Sequence, residues 1–148
     1  MINKNQNFVK KNDFFAIIVS GNSMEPILCD GEYILAKKDR QYKIGDILIF
    51  SYKQQAILVH RLLKINAGRY FCKGDNSFRI EDVSYEQILG KVIISNDVNN
   101  NFDFITASLE IGNIMRCCGY DTNKVMATEA YKKYKEKYLS EIKTKNHL

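Results

Sequence analysis

Between residues 13 and 96 the apolar residues of this chain come in short runs, each soon closed by Gly, Asn, Asp or Ser. Runs of that length, rich in Ile, Val, Phe and Tyr and bounded by turn residues, predict strands and leave no room for a helix longer than a turn or two. The runs are residues 14–19 (FFAIIV), 32–36, 47–52, 56–65, 69–73 and 90–95. Turns are expected at Ser20-Gly21-Asn22, Cys29-Asp30-Gly31, Lys43-Ile44-Gly45-Asp46 and Gly74-Asp75-Asn76-Ser77, with a hairpin through Asn66-Ala67-Gly68. Residues 84–88 read as one helical turn or a loop. The expected class is mainly β.

The pattern changes after Asn96, and Asn99-Asn100-Asn101 marks a boundary loop. Residues 106–118 carry Leu109, Ile111, Ile114, Met115 and Cys118 at mixed helical spacing, and Gly119 suits a helix C-terminus. A second helix opens at Thr122-Asn123, with Tyr131, Tyr134, Tyr138 and Ile142 on one stripe against a lysine face. The expected organisation is a flexible leader over residues 1–12, a β domain over 13–98 and a helical C-terminal extension over 99–148. The helices are expected to pad the sheet or pair with each other, in preference to docking a substrate or partner.

Charge narrows the range of partners. The net charge is +5, but residues 124–148 hold seven lysines and three glutamates, which places +4 of it in the tail. The body is close to neutral, so nucleic-acid binding by it has no electrostatic support. The tail is a solvated basic helix in the first instance, and peripheral contact with an anionic membrane is the alternative. Cys29, Cys72, Cys117 and Cys118 form no CxxC pair and no metal-ligand spacing, so no metal or cofactor is expected and all four read as reduced thiols. Residues 14–19 are too short to span a bilayer, and residues 3–13 are polar, unlike a secretory signal. The expectation is a cytoplasmic chain without a transmembrane segment or export signal.

The chemistry is carried by Ser20-Gly21-Asn22-Ser23-Met24-Glu25-Pro26 and by Val59-His60-Arg61. Small residues before Ser23 allow close backbone approach, and a nucleophile on such a turn can also offer its own N–H to an oxyanion. A serine hydroxyl needs a base, and His60 is the one histidine outside the tail. An unperturbed imidazole, titrating near pH ~6.5, serves at neutral pH, whereas a lysine base would need its pKa lowered by roughly three units. A third group should fix the imidazole tautomer. Asp75 and Asp82 are both candidates, and spacing alone does not choose between them.

Four blocks in order resemble the superfamily that joins class I signal peptidases to self-cleaving repressors of the LexA type. They are Ser20-Gly21-Asn22-Ser23-Met24-Glu25-Pro26, Gly45-Asp46-Ile47-Leu48-Ile49-Phe50, Val59-His60-Arg61, and Lys73-Gly74-Asp75-Asn76 followed by Gly90-Lys91-Val92. The resemblance covers residues 14–95 and does not extend to the helical tail. It implies a coiled β-sheet peptidase domain with Ser23 as nucleophile and His60 as general base. His60 stands where most bacterial signal peptidases and the repressors have lysine, which resembles the archaeal and endoplasmic-reticulum-type enzymes. A later aspartate completes the set in those enzymes, which points to Asp82. A slide of one residue favours Glu81, and Asp75 is then structural. Gly21 replaces a serine that helps the oxyanion hole in many bacterial members, so the Ser23 N–H is expected to serve.

The implied activity is a serine endopeptidase that binds an extended peptide or precursor protein as an added strand and removes a signal or leader segment after a small residue. A self-cleaving regulator is a poorer fit, since only about 20 residues precede Ser23, too few for a helix-turn-helix domain. Ala67-Gly68 resembles a repressor cleavage pair but reads as a turn. A non-catalytic peptide-binding module of the same fold is opposed by the presence of both Ser23 and His60.

Overall fold

The computed structural model describes residues 13–54 and 56–140, so the leader over residues 1–12 and Ile142 lie outside the described residues. Seven strands form one antiparallel sheet: β1 (Phe14–Ile18), β2 (Tyr33–Lys37), β3 (Ile47–Tyr52), β4 (Ala56–Asn66), β5 (Arg69–Lys73), β6 (Glu81–Ser84) and β7 (Ile88–Val92). The spatial order is β1-β2-β7-β3-β4-β5-β6. The central strands β3 and β4 pair from Ile47↔Arg61 to Tyr52↔Ala56. The hairpin between β4 and β5 turns through Ala67 and Gly68, both at positive φ (50° and 76°).

The sheet is covered on both sides. Ile47 and Ile49 join one apolar cluster with Val19, Met24, Leu28 and Ile34. Their neighbours Leu48 and Phe50 join another, with Leu62, Cys72, Val83 and Ile88. Alternation along a strand sends successive side chains to opposite faces, which is why a continuous apolar run such as Ile47-Leu48-Ile49-Phe50 marks a strand buried on both.

Two strands near the end of the sheet differ from the sequence expectation. β6 falls outside the expected apolar runs; it exists because it pairs with β5 from Cys72↔Glu81 to Arg69↔Ser84 and buries Glu81 and Val83. The last strand runs Ile88–Val92 and not 90–95, because it starts directly after a single 3-10 turn at Tyr85–Gln87.

Three helices follow: α1 (Phe102–Cys117), α2 (Thr122–Met126) and α3 (Glu129–Tyr134), the last continuing as a π-helical stretch over Lys135–Ser140. α1 begins four residues earlier than expected because Asn101, read from sequence as part of a loop, caps it by accepting the Phe104 N–H. It ends as expected at Gly119, in a Schellman motif formed by Tyr120 N–H to Met115 C=O and Gly119 N–H to Arg116 C=O. The expected second helix is broken, since the Thr128 side chain caps a fresh start by accepting the Tyr131 N–H. Tyr131 and Tyr134 are buried in a cluster with Phe104, Ile111, Met115, Val125 and the sheet residue Leu63, with Tyr138 packed against it. The tyrosine stripe is therefore spent on the protein's own core.

Between helices and sheet lie two fully buried basic side chains. Arg61, on β4, uses all five guanidinium N–H groups: Nε and Nη2 reach the Asp75 carboxylate at 2.9 Å each, Nη1 and Nη2 reach Asp97 at 2.7 and 2.9 Å, and Nη1 also reaches the Gly45 carbonyl at 2.8 Å. Gly45 sits at φ +101°, and a Cβ there would collide with the Asn100 side chain, so only glycine brings that carbonyl to Arg61. Burial alone would push the guanidinium pKa down; Asp75 and Asp97 outweigh it and hold it above the ordinary arginine range. Lys73, on β5, donates to Ser108 Oγ on α1 at 2.8 Å and to the Gly74 carbonyl at 3.1 Å, with its ammonium over the Tyr134 ring. Desolvation pushes Lys73 down to about 7, although Asp75 and Glu81 oppose it.

Both side chains can be tested by unfolding. Arg61→Met strands the buried carboxylates and should cost about 3–5 kcal/mol in urea unfolding. For Lys73 the unfolded chain keeps its proton up to the ordinary 10.5 while the folded protein releases it near 7. The unfolded state thus binds more protons between those values, and stability rises with pH by up to about 1.4 kcal/mol per pH unit. Urea titrations from pH 7 to 9 should show that rise in the wild type and its loss in Lys73→Met.

Candidate active site

Ser23 stands in the turn that leaves β1, at a partly exposed position between exposed Asn22 and buried Met24. The turn is stitched to the segment after β5. Asn76 N–H donates to the Ser23 carbonyl at 2.8 Å, Asn76 Nδ2 to the Asn22 carbonyl at 3.1 Å, and Asp75 N–H to Met24 Sδ at 3.4 Å. Gly74 makes this approach feasible: a Cβ there would lie 2.6 Å from the Ser23 carbonyl oxygen and 3.1 Å from His60 Nε2. Glycine is needed here for closeness and not for an unusual φ.

His60 lies opposite Leu48 in the β3–β4 ladder and is buried, with the Phe50 ring edge-on at a centroid distance of 6.2 Å. Its two nitrogens face different partners. Nδ1 lies 2.8 Å from Glu81 Oε1, and Nε2 lies 3.0 Å from Ser23 Oγ. A carboxylate only accepts, so Nδ1 carries the proton and donates to Glu81. Nε2 is then left with its lone pair toward the serine hydroxyl, the tautomer that a general base requires. Among the described residues the Ser23 N–H finds no protein acceptor.

The structure brings Ser23 and His60 together across 37 residues of chain. It does not bring Asp82 to them. Asp82 is exposed and pairs with Arg69 Nε at 2.7 Å. The reason is strand alternation: neighbours on β6 point to opposite faces, and Glu81 is the one that points inward beside Cys72 and His60. Asp75, the other candidate, is committed to Arg61 and fits the structural reading. Sequence reasoning missed Lys73, Ser108 and Tyr134 around this segment. A serine on the apolar face of α1, four residues from Phe104 and three from Ile111, was the available signal.

Among the described residues no group of three or more His, Cys, Asp or Glu is placed to hold a metal ion. Cys72, Cys117 and Cys118 are free thiols, and burial pushes the Cys72 thiol pKa up. No helix among the described residues is long and apolar enough to cross a membrane.

A comparison with curated proteins finds no match. A family model described as Peptidase S24-like matches residues 1–93, which takes in every strand of the sheet together with Ser23, His60 and Glu81. The antiparallel seven-stranded sheet followed by helices agrees with a LexA-like fold. The chain belongs to the Peptidase S24-like family, within the superfamily that unites LexA-type repressors and signal peptidases.

Proposed function

We propose that the protein is a serine endopeptidase in which Ser23, His60 and Glu81 form the catalytic relay. The observation that carries this reading is the continuous line Ser23 Oγ, His60 Nε2, His60 Nδ1, Glu81 Oε1, with contacts of 3.0 and 2.8 Å. In the first step Ser23 Oγ attacks the scissile carbonyl carbon and passes its proton to His60 Nε2. The imidazolium is held by Glu81, and the developing oxyanion takes the Ser23 N–H. His60 then protonates the leaving amine as the C–N bond breaks, leaving an acyl ester on Ser23. Water, deprotonated by the same imidazole, hydrolyses the ester and restores the hydroxyl.

The substrate in this reading is an extended segment of a precursor peptide or protein, a signal or leader sequence cut after a small residue. The resemblance to signal peptidases supports it, together with a partly exposed serine on a turn that an extended chain can approach. Self-cleavage is the rival outcome. Its one candidate pair, Ala67-Gly68, is locked in the tight turn between β4 and β5.

A fluorophosphonate probe with peptide mapping tests the assignment. Label should appear on Ser23 and vanish in Ser23→Ala and His60→Ala; an unlabelled wild type would sink the peptidase reading. Intact mass after incubation at alkaline pH separates a trans-acting enzyme, which keeps its mass, from a self-cleaving one. The third member is tested by a pair of neighbours. Glu81→Gln should lower kcat on a cleaved peptide by about 10³–10⁴-fold, while Asp82→Asn should change it less than about twofold, as expected of an exposed ion pair. The reverse order would restore Asp82.

A further inference from the structure

We infer that the helical layer is a working part of the site, and that Tyr134, with Lys73 and Ser108, positions the nucleophile through the Gly74–Asn76 backbone. The inference rests on the reading of Ser23 as nucleophile, and two of its residues, Tyr134 and Ser108, lie beyond the 1–93 that the family model matches. Tyr134 and Ser108 come from the helices, and Lys73 is the sheet residue that α1 grips.

The geometry is that of two consecutive peptide units. In a trans peptide the C=O and the following N–H point in opposite directions and rotate as one plane. The first plane joins Gly74 C=O to Asp75 N–H. Its carbonyl accepts from Lys73 Nζ and from the Ser77 N–H and Oγ, and its N–H points to Met24 Sδ. The second plane joins Asp75 C=O to Asn76 N–H. Its carbonyl accepts the Tyr134 hydroxyl, and its N–H holds the Ser23 carbonyl at 2.8 Å. Both planes are thus gripped on one side by the helical layer, or by the Lys73 amino group bound to it, and on the other side by the nucleophile turn.

Tyr134 is well placed for this. It is buried, its ring packs at a tilt against Phe104 and Tyr138, and its hydroxyl also lies 3.5 Å from Ser108 Oγ, so the hydroxyl has little freedom to leave the Asp75 carbonyl. Burial pushes its pKa up, which keeps the hydroxyl a donor throughout the working pH range. Without that donor the second plane loses one of its two anchors and can rotate away from Ser23. The Ser23 Oγ to His60 Nε2 contact of 3.0 Å depends on that turn staying in place. Tyr134 touches no reacting atom; it is a positioning residue.

The test compares Tyr134→Phe with Val125→Ala, a packing variant in the same apolar cluster with no hydrogen bond to the loop. Two readouts are taken well below the melting temperature: the rate of fluorophosphonate labelling at Ser23 and amide hydrogen exchange at Asn76. Tyr134→Phe should slow labelling about tenfold, by displacement of the nucleophile, and speed exchange at Asn76 by a similar factor, with exchange in the β3–β4 ladder unchanged. Val125→Ala should lower the melting temperature while leaving both readouts at wild-type values. Wild-type labelling and wild-type Asn76 exchange in Tyr134→Phe would overturn the inference and leave the peptidase reading intact. Faster Asn76 exchange in a protein whose wild type takes no label would uphold the coupling and sink the peptidase reading. Should Tyr134→Phe not fold, Ser108→Ala, which releases Lys73 from α1, is read the same way at the Asp75 amide. Unchanged exchange there would overturn the inference equally.

Discussion

A guanidinium sealed between sheet and helices is the interaction on which the rest depends. Arg61 gathers Asp75 from the segment after β5, Asp97 from the chain beyond β7 and the Gly45 carbonyl from the turn before β3. These three pieces of backbone are distant in sequence, and a planar fork with five donors can hold all of them at once, which a lysine cannot. A buried charge of this kind is tolerated only when every donor is matched, and here each one is. The adjacent residue on β4 is His60. One strand therefore presents its anchor to one face and its imidazole to the other.

That arrangement links stability to chemistry. Asp75 is held by Arg61 through its side chain, while its backbone N–H and its carbonyl face Met24 and Tyr134. The segment that carries it lies against the Ser23 turn, where Gly74 leaves just enough space for the Ser23 carbonyl. The helices are thus more than padding. They close the chamber in which Arg61 and Lys73 sit, with the Arg61 guanidinium 5.4 Å from the Phe104 ring centroid and the Lys73 ammonium 5.1 Å from that of Tyr134. The contact between Ser23 and His60 is held from both sides, by a central strand under His60 and by a turn at Ser23 fastened through Asn76 and Met24.

Much of this was legible in the residues. Strand positions β1 and β3 to β5 follow from apolar runs and turn residues whose physics is local, and the Gly119 helix end follows from a positive φ that glycine adopts freely. Ser23 and His60 stood out because a serine in a small-residue turn and a lone strand histidine are chemically conspicuous. What failed were the places where context overrides local preference. β6 is a strand because a partner edge is available to it, and Glu81-Asp82 shows no trace of that in its composition. The choice between these two acids needed the pleat, since a shift of one residue reverses the face.

By itself, then, the chain determined a strand-rich unit followed by helices, a serine in a small-residue turn and a histidine within a strand, and the glycine turns that let backbones meet, because each of these is governed by preferences acting over a few residues. The tertiary structure alone decided that Glu81 bonds His60 while Asp82 faces outward, that Arg61 and Lys73 are buried, and that Tyr134 reaches across to the Asp75 carbonyl. Those outcomes depend on register and on which distant surfaces come to share one interior. A linear pattern carries such information only weakly, because the free energy that selects them arises when the parts meet.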